Sequence, residues 1–136
     1  MKKTFFYSIL FFSISFFLSC SSDDTDNMEN TDFAALVVGE WLRTASTING
    51  AVQTTGCATG LKVTFGSDGF YGESPFNDTC TSTGNTGTYS VNGAEIEVVS
   101  GFFAATLEIV SLNENMLIYR YTSSSDNLIE QRYSKL

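Results

Sequence analysis

Gly87-Thr88-Tyr89-Ser90-Val91-Asn92-Gly93-Ala94-Glu95-Ile96-Glu97-Val98 reads as two strands folded back on each other. Tyr89 and Val91 alternate with Thr88 and Ser90, and Ile96 and Val98 alternate with Glu95 and Glu97. A period of two gives a strand one apolar face and one polar face. Asn92-Gly93 predicts a two-residue type I′ hairpin, a turn that needs positive φ at both central positions. The same alternation continues on both sides, in Leu61-Lys62-Val63-Thr64-Phe65 and in Thr106-Leu107-Glu108-Ile109. Turn signals separate the runs at Ser67-Asp68-Gly69 and Asn113-Glu114-Asn115.

Worked outward, the pattern gives about eight short strands: Glu40–Ile48, Leu61–Gly66, Phe70–Glu73, Thr86–Val91, Ala94–Val99, Phe102–Leu112, Met116–Ser123 and Leu128–Ser134. Phe33–Val38 forms one helical turn before them, with Asp32 as its cap. Short, evenly spaced strands with tight turns make an antiparallel meander, closed as a barrel or folded as a sandwich. A chain of hairpins closes most simply as an all-β, up-and-down, eight-stranded β-barrel, and closure removes exposed edges. Alternation points Leu61, Val63, Phe65, Tyr89, Val91, Ile96, Val98, Leu107, Ile109, Leu117, Tyr119 and Tyr121 inward. Lys62, Thr64, Glu95, Glu97, Glu108 and Arg120 point out. A buried tyrosine hydroxyl needs a partner. Tyr119 and Tyr121 therefore either sit near a barrel end with wet hydroxyls or meet a ligand.

The chain has 136 residues, net charge −8 and no His. Length allows one folded domain. Without His there is no Ser-His-Asp or Cys-His catalysis, and the acidic balance excludes nucleic acid as a partner. Met1-Lys2-Lys3, the apolar run Phe5–Leu18 and the break at Ser19-Cys20 describe a secretory signal, too short for a membrane span. Phe17-Leu18-Ser19-Cys20 resembles the lipidation box of bacterial lipoproteins, apart from Phe at its first position. That resemblance implies cleavage after residue 19 and acyl chains, such as palmitate, on Cys20. Residues 20–32 are polar and acidic, with almost nothing to bury, and are expected to form a disordered tether. An acidic run after the lipidated Cys resembles the surface-export signal of Bacteroidetes lipoproteins, and equally suits a plain solvated linker. The expected location is the outer membrane, held by lipid, with display at the cell surface. The domain is 33–136, expected to be a monomer. With Cys20 lipidated, Cys57 and Cys80 remain as an even pair in an oxidising compartment, expected to form a disulfide.

Gly39-Glu40-Trp41, opening the first strand just after a helical turn, resembles the lipocalin signature. Phe65-Gly66-Ser67-Asp68-Gly69, Gly87-Thr88-Tyr89-Ser90-Val91-Asn92-Gly93 and Tyr133-Ser134-Lys135 follow in the order seen in small lipocalin-like lipoproteins of Bacteroidetes. The resemblance covers about 100 residues. It implies a barrel closed at one end by Gly39 and Trp41, with an Arg from the last strand across the indole. Arg132 is the candidate and Arg120 the alternative. The chain is shorter than full lipocalins, and it lacks their Thr-Asp-Tyr motif and long C-terminal helix.

No phosphate-binding loop or dinucleotide fingerprint occurs. Glu73 and Asp78 flank one loop, but a chance carboxylate pair is no glycosidase. Asp23, Asp24 and Asp26 lie on the tether, where they hold no metal firmly. No cofactor and no catalytic residue is expected. The leading expectation is a non-catalytic protein binding a small hydrophobic or amphipathic ligand near Phe70, Phe76, Tyr89, Phe102, Phe103, Tyr119 and Tyr121. The alternatives are an interaction module that inhibits a basic protein such as lysozyme, through the loop Glu73–Gly84, and an accessory structural lipoprotein.

Overall fold

The computed structural model describes residues 32–78, 80–101 and 103–136. The signal segment, Cys20 and nearly all of the tether lie outside the described residues, as does Phe102. Asp32 caps a short helix, α1 (Phe33–Val37), by accepting from the Ala35 amide at 3.1 Å. Nine strands follow: β1 (Gly39–Ile48), β2 (Ala51–Val52), β3 (Leu61–Phe65), β4 (Phe70–Pro75), β5 (Asn85–Asn92), β6 (Glu95–Ser100), β7 (Phe103–Leu112), β8 (Met116–Thr122) and β9 (Leu128–Lys135). From β3 onward each strand pairs antiparallel with the next, and β9 returns to pair with β1. Eight strands thus close an up-and-down barrel, with β2 a two-residue appendage on β1.

One turn differs from the sequence expectation. Asn92 and Glu95 pair directly, so the β5–β6 loop is Gly93-Ala94. Gly93 has φ +58 and Asn92 stays in the strand, the pattern of a type II′ turn rather than I′. The type I′ geometry occurs instead at Asn49-Gly50, with φ +50 and +81, which folds the end of β1 onto β2.

The alternation assigned the interior well. Leu61, Val63, Phe65, Ile96, Val98, Leu107, Ile109, Leu117 and Tyr119 are buried in one cluster, with Tyr89, Val91 and Tyr121 packed against it. Trp41, Tyr71 and Tyr133 join them, each 1% exposed or less. β1 carries a bulge between Arg43 and Ala45. Trp41 and Arg43 face inward before it, and Ser46 and Ile48 after it, because one extra residue reverses the parity of everything that follows.

One end of the barrel is filled. α1 packs Phe33 and Val37 against it, and the Trp41 indole donates to the Val37 carbonyl at 2.7 Å. Tyr89 belongs to this end. Its ring meets Phe65 edge-on at 4.9 Å and its hydroxyl donates to the Gly66 carbonyl at 2.8 Å. The cation over the indole is Lys135, with Nζ 4.8 Å from the ring centroid, and not Arg132. Arg132 is exposed because its neighbours Gln131 and Tyr133 both point inward, which leaves it the outer face. Arg120 also lies outside, paired with Glu108 at 2.6 Å. Gly39 makes the Lys135 contact feasible. Its φ is +138, and a Cβ there would stand 2.8 Å from Lys135 Cε.

Candidate ligand-binding site at the barrel mouth

The opposite end holds polar side chains, and β1, β4, β8 and β9 build it. Arg43 projects inward from β1 and is tied on three sides. Its Nε donates to the Tyr133 hydroxyl, Nη1 to the Cys57 carbonyl and Nη2 to Gln131 Oε1, each at 3.0 Å. Tyr119, Tyr133 and Gln131 form a triangle below it, with the two hydroxyls 2.6 Å apart and 2.9 and 2.8 Å from Gln131 Oε1. The hydroxyls have two protons for these three short contacts, and Gln131 offers only an acceptor to them. The Tyr119 and Tyr133 rings stack at 5.2 Å, and the Arg43 guanidinium lies 5.5 Å from the Tyr133 centroid. On β4 the Tyr71 hydroxyl donates to Glu73 Oε1 at 2.5 Å.

Burial and charge set the ionisation of this cluster. Burial, then the nearby Tyr133 and Tyr71 hydroxyls, push the Tyr119 hydroxyl well above the ordinary tyrosine range. Burial also raises Tyr133, although Arg43 opposes it. Tyr71 rises through burial and then the Glu73 carboxylate beside it. Burial works against the charge on Arg43, but the oxygens of Tyr133, Tyr119 and Glu73 outweigh it, so the guanidinium stays protonated.

Above the triangle a cavity of about 340 Å³ opens, lined by Arg43, Cys57, Leu61, Glu73, Ser82, Phe103, Tyr121 and Gln131. Its rim is pinned by the Cys57–Cys80 disulfide, which ties the 3₁₀ turn Gly56–Ala58 to the segment after β4. Phe103 and Tyr121 meet edge-on at 5.7 Å. They also line a second opening of about 360 Å³, beside Ala105 and Ile129.

Of the seven aromatic residues expected at a ligand site, the six that are described separate here. Phe103 and Tyr121 line the mouth, and Tyr119 lies in its floor with its hydroxyl satisfied internally. Tyr121 is half-buried, and no group of the described residues hydrogen-bonds its hydroxyl. Phe70 does not belong to the site. Tyr71 beside it points inward, so Phe70 takes the outer face and is 41% exposed. Phe76 stands 51% exposed on the loop near Cys80, outside the cavity, and Tyr89 is at the filled end. Of the two loop carboxylates, Glu73 lines the cavity and Asp78 lies exposed on the loop. The sequence reading passed over Arg43, Gln131, Tyr71 and Tyr133. The alternation of β9 around exposed Arg132 was the signal that finds Gln131 and Tyr133.

The model of the lipocalin-like domain matches residues 37–119, well over half of the chain. This chain belongs to the lipocalin-like domain family. Two solved structures share the lipocalin-like fold. A lipocalin-like protein from Bacteroides uniformis is 15% identical, with TM-score 0.56 over 74% of this chain and 98% of its own. An uncharacterized protein from Bacteroides eggerthii is 16% identical, with TM-score 0.55 over 74% of this chain and 99% of its own. No curated protein matches the sequence. In this lipocalin-like barrel one end is packed solid and the other is a polar, open mouth.

Proposed function

We propose that this protein is a non-catalytic, lipid-anchored lipoprotein of the outer membrane, displayed at the cell surface, whose barrel mouth binds a small amphipathic molecule. The observation that carries the reading is the cavity of about 340 Å³, where apolar Leu61 and Phe103 face polar Arg43, Glu73 and Gln131. Ligand sites of this size combine an apolar lining with a few fixed polar groups. The floor is held by internal hydrogen bonds, so the polar groups are positioned before a ligand arrives. The filled end argues against a ligand threading the whole barrel, and the polar mouth argues against a purely hydrocarbon one. The signal box ending at Cys20 and the acidic run after it support the anchor and its location.

The test is native mass spectrometry of the purified protein after incubation with an extract of its own envelope. A stoichiometric bound mass that is lost on Tyr121→Ala supports the reading. A bare protein under the same conditions refutes it. A second reading, a module for a basic protein such as lysozyme, draws on the net charge of −8 and on exposed Glu95 and Glu97 on one outer face. Absence of binding to cationic lysozymes removes it.

A further inference from the structure

The mouth holds two opposite charges that do not touch. Arg43 on β1 and Glu73 on β4 both line the cavity. The ion pairs among the described residues are Lys62–Glu40 and Arg120–Glu108, and neither involves them. Each is fixed to its own wall, Arg43 by Tyr133, Cys57 and Gln131, and Glu73 by the Tyr71 hydroxyl. A guanidinium has five N–H donors, and three are used here. Among the described residues the other two have no partner, and neither has Glu73 Oε2 or the Tyr121 hydroxyl. Glu73 Oε2 and the Tyr121 hydroxyl are not sealed away, since no buried side-chain polar atom of the described residues lacks a partner, and Arg43 itself lines the open cavity. Unpaired donors at one wall, an unpaired carboxylate oxygen at another and the apolar atoms of Leu61 and Phe103 thus share one space.

We propose that the mouth takes a small zwitterion of the amino-acid type. Its carboxylate meets the free N–H groups of Arg43, its ammonium meets Glu73, and its apolar side chain lies against Leu61 and Phe103. This rests on the ligand-binding reading above and adds the ligand class. Charge balance supports it. Arg43 and Glu73 together are neutral, so a fatty carboxylate would bring an uncompensated anion beside Glu73, and a simple amine an uncompensated cation beside Arg43. A zwitterion brings a partner to each, and charge-assisted hydrogen bonds of this kind are the strong ones.

The experiment is calorimetric titration of the purified full-length protein with L-phenylalanine, N-acetyl-L-phenylalanine and L-phenylalaninamide, repeated on Glu73→Gln. That amide can still accept the Tyr71 proton, so the variant is expected to keep its melting temperature. L-phenylalanine is expected to bind the unaltered protein at least about tenfold more tightly than either blocked analogue, the worth of one charge-assisted hydrogen bond. Glu73→Gln is expected to remove that advantage without weakening N-acetyl-L-phenylalanine. Equal binding of L-phenylalanine and its N-acetyl form overturns the proposal, because the carboxylate alone is then recognised. The probe comparison on the unaltered protein decides this even where the variant is unstable. No binding of L-phenylalanine, beside a stoichiometric envelope ligand in the mass spectrum, refutes the zwitterion and leaves ligand binding standing. No bound species in either experiment removes both.

Discussion

Removing one hydroxyl from the floor of the mouth should cost very different amounts at two adjacent tyrosines. The Tyr133 oxygen accepts from Arg43 Nε at 3.0 Å, lies 2.8 Å from Gln131 Oε1 and touches the Tyr119 hydroxyl at 2.6 Å. In Tyr133→Phe the Arg43 Nε–H loses its acceptor inside the protein, and a hydrogen bond to a charged group is worth about 1.5–3 kcal/mol. Tyr119 can still give its proton to Gln131 at 2.9 Å, which limits the damage there. The expected cost is about 2–3 kcal/mol. Tyr119→Phe leaves the Tyr133 hydroxyl donating to Gln131 and accepting from Arg43, so only one neutral bond is lost, about 1 kcal/mol. Urea unfolding followed by the fluorescence of Trp41, the single tryptophan, measures both. For a domain of this size 1 kcal/mol is about 4–8 °C in melting temperature, so heating must give the same order. The double variant is expected to cost less than the sum, because the two share Gln131. Equal costs for the two single variants would refute the assignment of Tyr133 as the anchor of Arg43.

Lys135→Ala is expected to lower stability by about 1 kcal/mol, through the lost contact over Trp41, whereas Arg132→Ala leaves the melting curve in place. A larger effect at Arg132 reverses the assignment. Replacing Cys57 and Cys80 by Ser is expected to cost about 3 kcal/mol in the chain-entropy view, since the bridge spans 23 positions. Chemical denaturation of the oxidised protein and the variant tests it. Alkali should unfold the protein cooperatively. Unfolded tyrosines ionise near pH 10, while Tyr71, Tyr119 and Tyr133 keep their protons to higher pH when folded. The unfolded state then binds fewer protons, so this stability is complete below about pH 10 and falls by about 1.4 kcal/mol per pH unit per tyrosine as pH rises towards the folded values. A smooth tyrosinate absorbance titration with no unfolding step contradicts it.

The strands were legible because one face of each packs on a core, which forces an apolar residue at every second position. Leu61, Val63 and Phe65, or Ile96 and Val98, could hardly be read otherwise. The Cys57–Cys80 pair followed from counting once Cys20 was set aside as the lipidation site. The mouth was half legible. Phe103 and Tyr121 were found, but aromatic character alone also gathered Phe70, which strand phase places outside. Arg43 was missed because an isolated charge on a strand reads as solvent-facing, and nothing local shows that Tyr133 and Gln131 wait for it 88–90 residues later. Arg132 was chosen by resemblance, with Arg120 as its alternative, and Lys135 was passed over. The alternation of its own strand, with Tyr133 inward, would have ruled Arg132 out. The hairpin at Asn92 formed, but not with the expected turn type, since Asn-Gly favours type I′ and the register Asn92 to Glu95 moved the loop one residue on.

The bulge in β1 works like a frameshift in side-chain parity. Straightening the strand with Thr44 still in place would send Ser46 and Ile48 to solvent and bring Ala45 and Thr47 inside, opposite the unchanged pattern of β9, whereas deleting Thr44 would restore plain alternation and keep the inward set. Trp41 and Arg43, upstream of it, would keep their places. One residue thus separates the half of β1 that seals the barrel from the half that shapes its rim. A lineage could lengthen or shorten that upper half, and with it the contour of the opening, without rewriting the sealed end.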